Sequence, residues 1–367
     1  MSIYKNSFGL PSDTQGKDIG VFLPMGNGGW ILSKNKPELD GSYELNKQIA
    51  LMTEKLDFDF VMSMAKYRGY GGETRHWNDT LDATLLAAAI AAITSRVKIW
   101  TTIHTLLQNP AVAAKIITTL DKISNGRAGL NIVTGSYKDE FSQMGAWLDD
   151  VNHDQRYDLA TEWIQAIKAL WHEESVTMKG KYFTLIDCQS GPKPEKQPFL
   201  ICAGISPQGM NFTINETDAI FLSGKTDEDL AKISLSVKEH AEQKSRYMRT
   251  YIQMTLVMDE TDAKAQARAN YYSEGLDEGA LNGMLKAYGL LDKEIGKEND
   301  YVKAARTGFL SMRIAGSTET IMERILEIFD RTHIDGMMII FPDYLHDIPI
   351  FAKEILPGIR KKYRHEI

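Results

Sequence analysis

The 367-residue chain carries 42 Lys+Arg against 49 Asp+Glu, a net charge of −7, with 43% hydrophobic and 25% charged residues. Those proportions are globular and exclude a disordered or collagen-like chain, and the acidic balance leaves too little basic surface for a nucleic acid or an anionic membrane as partner. Cys188 and Cys202 are too few for a disulfide framework or a four-cysteine zinc site. The longest apolar run, Leu85–Ile93, falls well short of the roughly 18 residues of a membrane span. The N-terminal stretch has no apolar signal-peptide core, so a cytoplasmic protein is expected.

Short apolar runs alternate with longer helical patterns. Ile19–Leu23 reads as a strand and Glu44–Leu56 as a helix; Phe58–Ser63 and the alanine-rich Leu81–Thr94 repeat the pair. Val97–Thr102 is a third strand, followed by a helix from Pro110 to Ile123 with proline in its favoured first turn. Gly129–Val133 is a fourth strand, and Asn152–Trp171 a helix whose Leu159, Trp163, Ile167 and Leu170 form one stripe. Val176–Leu185 alternates around Gly180 and reads as a hairpin. Then come strand Phe199–Ala203, helix Pro207–Asn215, strand Ala219–Leu222, helix Asp227–Lys244, strand Tyr251–Met258 and helix Ala263–Ser273. Lys286–Gly316 is charged and poorly periodic and reads as an insertion or mobile loop. Helix Thr318–Phe329, strand Met337–Phe341 and helix Ile348–Leu356 close the chain.

Eight strands alternating with helices imply parallel pairing and closure into a (β/α)8 TIM barrel. The expected organisation is one domain over 1–367, with an N-terminal tail at 1–17 and insertions near 173–197 and 276–316. An open doubly wound sheet competes, but no GxGxxG follows the first strand.

Active sites of such barrels lie where the strands end. The departing residues include Pro24-Met25-Gly26-Asn27-Gly28-Gly29-Trp30, Met64-Ala65-Lys66, Thr101-Thr102-Ile103-His104, Asn131 with Thr134-Gly135, and Ala203-Gly204-Ile205-Ser206. They contain no HxH pair, HExxH or GxSxG, so a metal site is not expected, and Cys202 reads as a structural cysteine inside a buried strand. Small, amide, aromatic and methionine residues suit a flat apolar heterocycle edged with hydrogen-bonding groups, such as a flavin. Arg156 and Tyr157 in the first turn of a helix, with Gly204 and Ser206 opening another, form a candidate phosphate site.

The runs GVFLPMGNGGWILS, SMAKYRGYGGET, DKISNGRAGLNIVTG and ICAG-x-S resemble the bacterial luciferase-like flavin monooxygenases, and within them the pyrimidine monooxygenases. The resemblance implies FMN as cofactor, used as FMNH2 delivered by a separate NADH-dependent reductase, with dioxygen as co-substrate and uracil, thymine or a related N-heterocycle opened. It assigns Ala65, Lys66, Asn131, Glu140, Arg156, Tyr157 and Ser206 to flavin binding, and Met64, Thr102 and Asn131 to the pocket where dioxygen meets the flavin. His104, Met62 and Tyr67 depart from the branch's smaller residues and put the substrate in question. Sulfone and sulfonate monooxygenases share the core motif and form a competing substrate class. A deazaflavin-dependent oxidoreductase, a non-catalytic flavin binder, and a lyase using Lys66 as a Schiff base compete as well. Trp30, His76 and Trp77 are candidate lid residues, as is the segment around Arg306 and Arg313. A dimer or tetramer is expected, touching through Leu85–Ala92 and Trp163.

Overall fold

The computed structural model describes residues 16–224, 226–290 and 300–363, so most of the expected tail 1–17 and part of the 276–316 insertion lie outside the described residues. Strands β1 (Asp18–Phe22), β2 (Phe60–Met62), β3 (Lys98–His104) and β4 (Ala128–Val133) alternate with helices α1 (Tyr43–Lys55), α2 (Ala83–Ile93) and α3 (Pro110–Ser124). A short α4 (Lys138–Ser142), not anticipated from sequence, precedes α5 (His153–His172). The expected hairpin is present as antiparallel β5 (Val176–Lys179) and β6 (Thr184–Cys188). The barrel resumes with β7 (Phe199–Cys202), α6 (Pro207–Glu216), β8 (Ala219–Leu222), α7 (Asp227–Gln243) and β9 (Arg249–Met258). After α8 (Asp262–Glu274), α9 (Glu278–Ala287), α10 (Asp300–Ala305) and β10 (Met312–Gly316) come α11 (Thr318–Thr332), β11 (Gly336–Ile340), α12 (Tyr344–Glu354) and α13 (Leu356–Lys362).

Parallel pairing runs β1-β2-β3-β4-β7-β8-β9-β11 and returns to β1, closing an eight-stranded barrel. The helix starts are locally encoded. Asn109 caps α3 ahead of Pro110, and Asn152 and Gln155 form a reciprocal capping box on α5.

The region 286–316 departs from the sequence expectation: Met312–Gly316 is a ninth parallel strand rather than loop. The long β9 explains it. β8 pairs with β9 only over Arg249–Ile252, while β11 holds the other edge from Tyr251 to Thr255. The vacant edge beyond Ile252 is taken by β10, paired to Met254–Met258. A five-residue strand interrupted by Arg313 has too weak a local pattern to be read alone.

Inside the barrel, rings and glycines interlock. Trp100 stacks on Phe60 at 3.8 Å and meets Tyr251 edge-on at 5.5 Å and Phe199 at 5.0 Å. Space for them comes from neighbouring strands. A Cβ on Gly20 would lie 2.3 Å from the Phe60 ring, on Gly129 2.4 Å from Trp100, and on Gly336 2.4 Å from Tyr251. The rings therefore form a solid floor. Gly129→Ala is expected to cost about 1–3 kcal/mol, because Trp100 is wedged between other rings and has nowhere to retreat. Urea unfolding of the variant checks this; an unchanged midpoint would mean that the ring layer yields.

Candidate active site

Side chains alternate along strands, so two residues beyond the ring floor the inward positions toward the open rim are Met62, Thr102, Asn131, Ile201, Gln253 and Met338. Thr102 and Asn131 are register partners on β3 and β4. The Thr102 hydroxyl donates to the Ser63 carbonyl at 2.7 Å. With its single proton spent, Thr102 Oγ1 accepts from Asn131 Nδ2 at 3.1 Å. That chain fixes which way the amide is turned. Asn131 Oδ1 is left buried and without a partner among the described residues. An unpaired buried acceptor costs about 1–3 kcal/mol, a penalty that an N–H group of a bound ring would remove.

Met64 is buried against the β1 loop, its Cε 3.1 Å from the place a Cβ on Gly26 would occupy. The Ala65 carbonyl lies 3.1 Å from His104 Nε2. His104 follows Trp100 and Thr102 on the inward face but is closed over by Phe141, edge-on at 5.1 Å. Burial holds its pKa below the usual imidazole value, and Nδ1 has no hydrogen-bond partner among the described residues.

Lys66 and Glu140 form a buried clamp. Lys66 Nζ lies 3.1 Å from Glu140 Oε2, with side-chain exposures of 9% and 3%. Its ammonium also rests between the rings of Tyr70 (4.9 Å) and Tyr137 (4.7 Å). Glu140 further accepts the amide N–H groups of Tyr67 (2.6 Å) and Arg68 (3.3 Å). The pair ties the loop after β2 to α4, and Lys66 spends its ammonium on that task, which argues against a Schiff-base role.

At the turn from β7 into α6, Ser206 caps the helix by accepting from the Gly209 amide at 3.1 Å. A Cβ on Gly204 or Gly209 would stand 2.9 or 2.6 Å from the Tyr157 hydroxyl. The two glycines thus let that phenol reach the N-terminus of α6. Burial pushes the Tyr157 phenol up, while the hydroxyls of Ser206 and Thr134 act in the opposite sense. Arg156 lies over the Trp147 ring at 5.0 Å and donates from Nη1 to the Val151 carbonyl at 3.3 Å, and its Nε is buried without a partner among the described residues. Tyr157 is therefore the member of the pair that touches the α6 turn.

Trp30, His76 and Trp77 form a packed plug. Trp30 stacks on Phe22 at 3.7 Å and meets Trp77 edge-on at 4.9 Å, and Trp77 Nε1 donates to the Gly29 carbonyl at 2.6 Å. His76 is fully buried, and desolvation takes its pKa down to about 3. Its folded-state pKa lies below the unfolded value near 6.5, so the unfolded chain binds the extra proton. Stability contributed by neutral His76 is complete above about pH 6.5 and falls by about 1.4 kcal/mol per unit as pH drops toward 3. His76→Phe is expected to flatten that part of the stability profile, measured by urea unfolding from pH 7 to 4.5; an unaltered slope would assign the acid sensitivity elsewhere.

Two expected surfaces are revised. Trp163 is fully buried and donates to the Gln108 carbonyl at 2.7 Å, so it is core rather than contact surface, whereas Leu85 is 73% exposed. Arg313 stands on β10 with its guanidinium 4.6 Å from the Phe309 ring. A cavity of about 350 Å³ beside that strand is lined by Asp227, Met254, Met312, Arg324 and Arg331 and by neither Thr102 nor Asn131, and its Arg324 and Asp227 are paired at 2.6 Å. Cys202 is buried and its thiol is pushed up by desolvation, as suits a structural role. Among the described residues no three or more His, Cys, Asp or Glu side chains converge as a metal site, and no helix is long and apolar enough to cross a membrane.

This barrel, with an amide-and-hydroxyl pair at its mouth and a capped helix start at its rim, matches the model of the luciferase-like monooxygenase family over residues 18–336. The chain belongs to that family. It is a flavin-dependent monooxygenase, as the motif resemblance implied. Among curated relatives, it is 36% identical over 345 residues to pyrimidine monooxygenase RutA of Acinetobacter baylyi, covering 92% of this chain and 94% of the relative. RutA of Variovorax paradoxus is 35% identical over 352 residues, covering 94% and 95%. Among solved structures, long-chain alkane monooxygenase LadA superposes with a TM-score of 0.83 at 18% identity, covering 96% of this chain and 93% of that one. DmoA from Hyphomicrobium sulfonivorans gives 0.83 at 18% identity, with coverage of 96% and 89%, and these two likenesses speak to the barrel alone.

For this luciferase-like monooxygenase, sequence reading missed Ile201, Met338 and Gln253 among the inward residues at the mouth, and Gln253 is the polar one. Gln253 is the only position of the ten in β9 that is not buried. The signal was present in TYIQMTLVM, where one long amide interrupts an apolar strand two places after Tyr251.

Proposed function

We propose that this monooxygenase is the oxygenase component of a two-component system that opens a pyrimidine ring, with FMNH2 supplied by a separate NADH-dependent reductase. The observation that carries the reading is the end-to-end match to pyrimidine monooxygenases, at 35–36% identity over more than nine-tenths of either chain. The mouth fits a flavin on two counts. Asn131 Oδ1 is an orphaned buried acceptor at its floor. The Gly204–Gly209 cradle brings the Tyr157 hydroxyl to the start of α6, where unpaired amides favour a phosphate.

Ser206, Tyr157 and the α6 amides would hold the phosphate, with Arg156 adding positive charge. Met64, Ala65 and Asn131 would line the ring. When bound, reduced FMN supplies the two electrons that activate dioxygen, one oxygen atom entering the product and the other leaving as water. The chain's own work is positional. Ser63 orients the Thr102 hydroxyl, Thr102 orients Asn131, and Asn131 presents one acceptor and one remaining N–H to the reacting groups. The Trp30–Trp77 plug and the Lys66–Glu140 clamp keep the rim dry and rigid. The whole chain would act as one domain in the cytoplasm and associate as a homo-oligomer, Leu85 on α2 offering an exposed apolar contact.

The test is anaerobic reduction of FMN in the presence of the protein, followed by ¹⁸O₂ and separate additions of uracil, thymine and small sulfones, with products read by mass spectrometry. One labelled atom in a ring-opened pyrimidine is the expected result. Label entering sulfones alone would overturn the substrate class and keep the flavin chemistry.

A further inference from the structure

The side of the mouth facing Thr102 and Asn131 carries a polar group of its own. Tyr251 points into the barrel, since its ring meets Phe60, Trp100, Phe199 and Phe221. Strand alternation puts Gln253 on the same face, one step nearer the rim. Its register partner Met338 follows Gly336, the glycine that yields to the Tyr251 ring. Trp100 and Tyr251 touch across the floor, and Thr102 and Gln253 each stand one inward step above them. β3 and β9 are four strands apart in a ring of eight, so the two side chains face each other over the opening.

Gln253 is half-buried where the other nine residues of its strand are buried, and its amide forms no hydrogen bond among the described residues. A long amide at an inward site, with apolar Ile252 and Met254 beside it, contributes nothing to the packing that methionine would not supply better. We infer that Gln253 reads the substrate's lactam edge, its Oε1 accepting from a ring N–H and its Nε2 donating to the adjacent ring carbonyl. The inference rests on the pyrimidine reading of the function and gives it a chemical reason. Uracil and thymine carry N–H beside C=O and satisfy both ends of a carboxamide. A sulfone offers only acceptors, which leaves Oε1 unpaired, and sites built around such polar pairs reject ligands that lack one partner.

The test compares wild-type protein with Gln253→Leu and Gln253→Met, both close in volume, using reduced FMN with uracil and with 1,3-dimethyluracil, which has no ring N–H. In the wild type, uracil is expected to exceed the dimethyl compound in kcat/KM by about 10- to 100-fold. In both variants the uracil KM should rise by a similar factor and the preference should collapse toward one, with FMN affinity unchanged. A wild type that oxygenates uracil and variants that keep its KM and its preference would sink this inference and spare the substrate class. A wild type inert toward every pyrimidine would remove both. Variants that also lose FMN affinity would place Gln253 against the cofactor and refute substrate reading.

Discussion

Asn131→Ala is expected to lower oxygenation by about 100-fold or more while the protein stays folded. The size follows from what one preorganised hydrogen-bonding group contributes at a reacting centre shielded from water. Asn131 is preorganised from outside itself, because the Ser63 carbonyl accepts a hydrogen bond from the Thr102 hydroxyl and Thr102 Oγ1 in turn accepts one from Asn131 Nδ2. The fold survives because the alanine also deletes an acceptor that was already unpaired. The one bond lost, to Thr102, is worth about 1 kcal/mol. Asn131→Asp should fail to rescue activity. A carboxylate has no N–H for Thr102 Oγ1, whose own proton is committed to Ser63, so two acceptors would be forced together. Product formed per FMNH2 consumed is the readout, with urea unfolding alongside. Turnover equal to wild type in Asn131→Ala would take this residue out of the mechanism.

Glu140→Ala is expected to cost stability outright, by about 3–5 kcal/mol, because it strands the Lys66 ammonium at a site where that side chain is 9% exposed. The cation–π contacts to Tyr70 and Tyr137 remain but cannot replace a carboxylate. The amides of Tyr67 and Arg68 lose their acceptor as well. Lys66→Met combined with Glu140→Leu should recover part of the loss, since an apolar pair avoids stranding a charge, but not all of it, since those amides remain unpaired. Urea unfolding of the single and double variants decides the matter. A single-variant loss below about 1 kcal/mol would show that water reaches Lys66 and that the clamp does not hold the rim.

The barrel was legible because its signals are local. Apolar runs of strand length alternate with capped helical stripes, and Pro110, Asn152 and Ser206 each mark a helix start within a few residues of itself. The α6 turn was legible for the same reason, as Gly204 and Ser206 stand two residues apart in the chain, whereas the part of Gly209 in admitting the Tyr157 hydroxyl shows only in the structure. β10 was not, because what makes Met312–Gly316 a strand is the bare edge of β9, far earlier in the sequence. The expectation of Trp163 as a contact surface failed in the same way, since its ring is buried and bonded to Gln108 in the loop before α3.

The alternation of residue types along this chain determined, unaided, that eight strands would close into a barrel and that its rim would present amides, hydroxyls and a helix start. Tertiary structure decided which way each group acts. The turn of the Asn131 amide depends on a carbonyl at Ser63, the charge of Lys66 is spent on Glu140 in the separate helix α4, and Gln253 gains its meaning from standing opposite Thr102. The physical reason is that periodicity specifies the face a side chain takes, whereas a hydrogen bond or ion pair needs a partner, and barrel closure alone brings distant partners within about 3 Å.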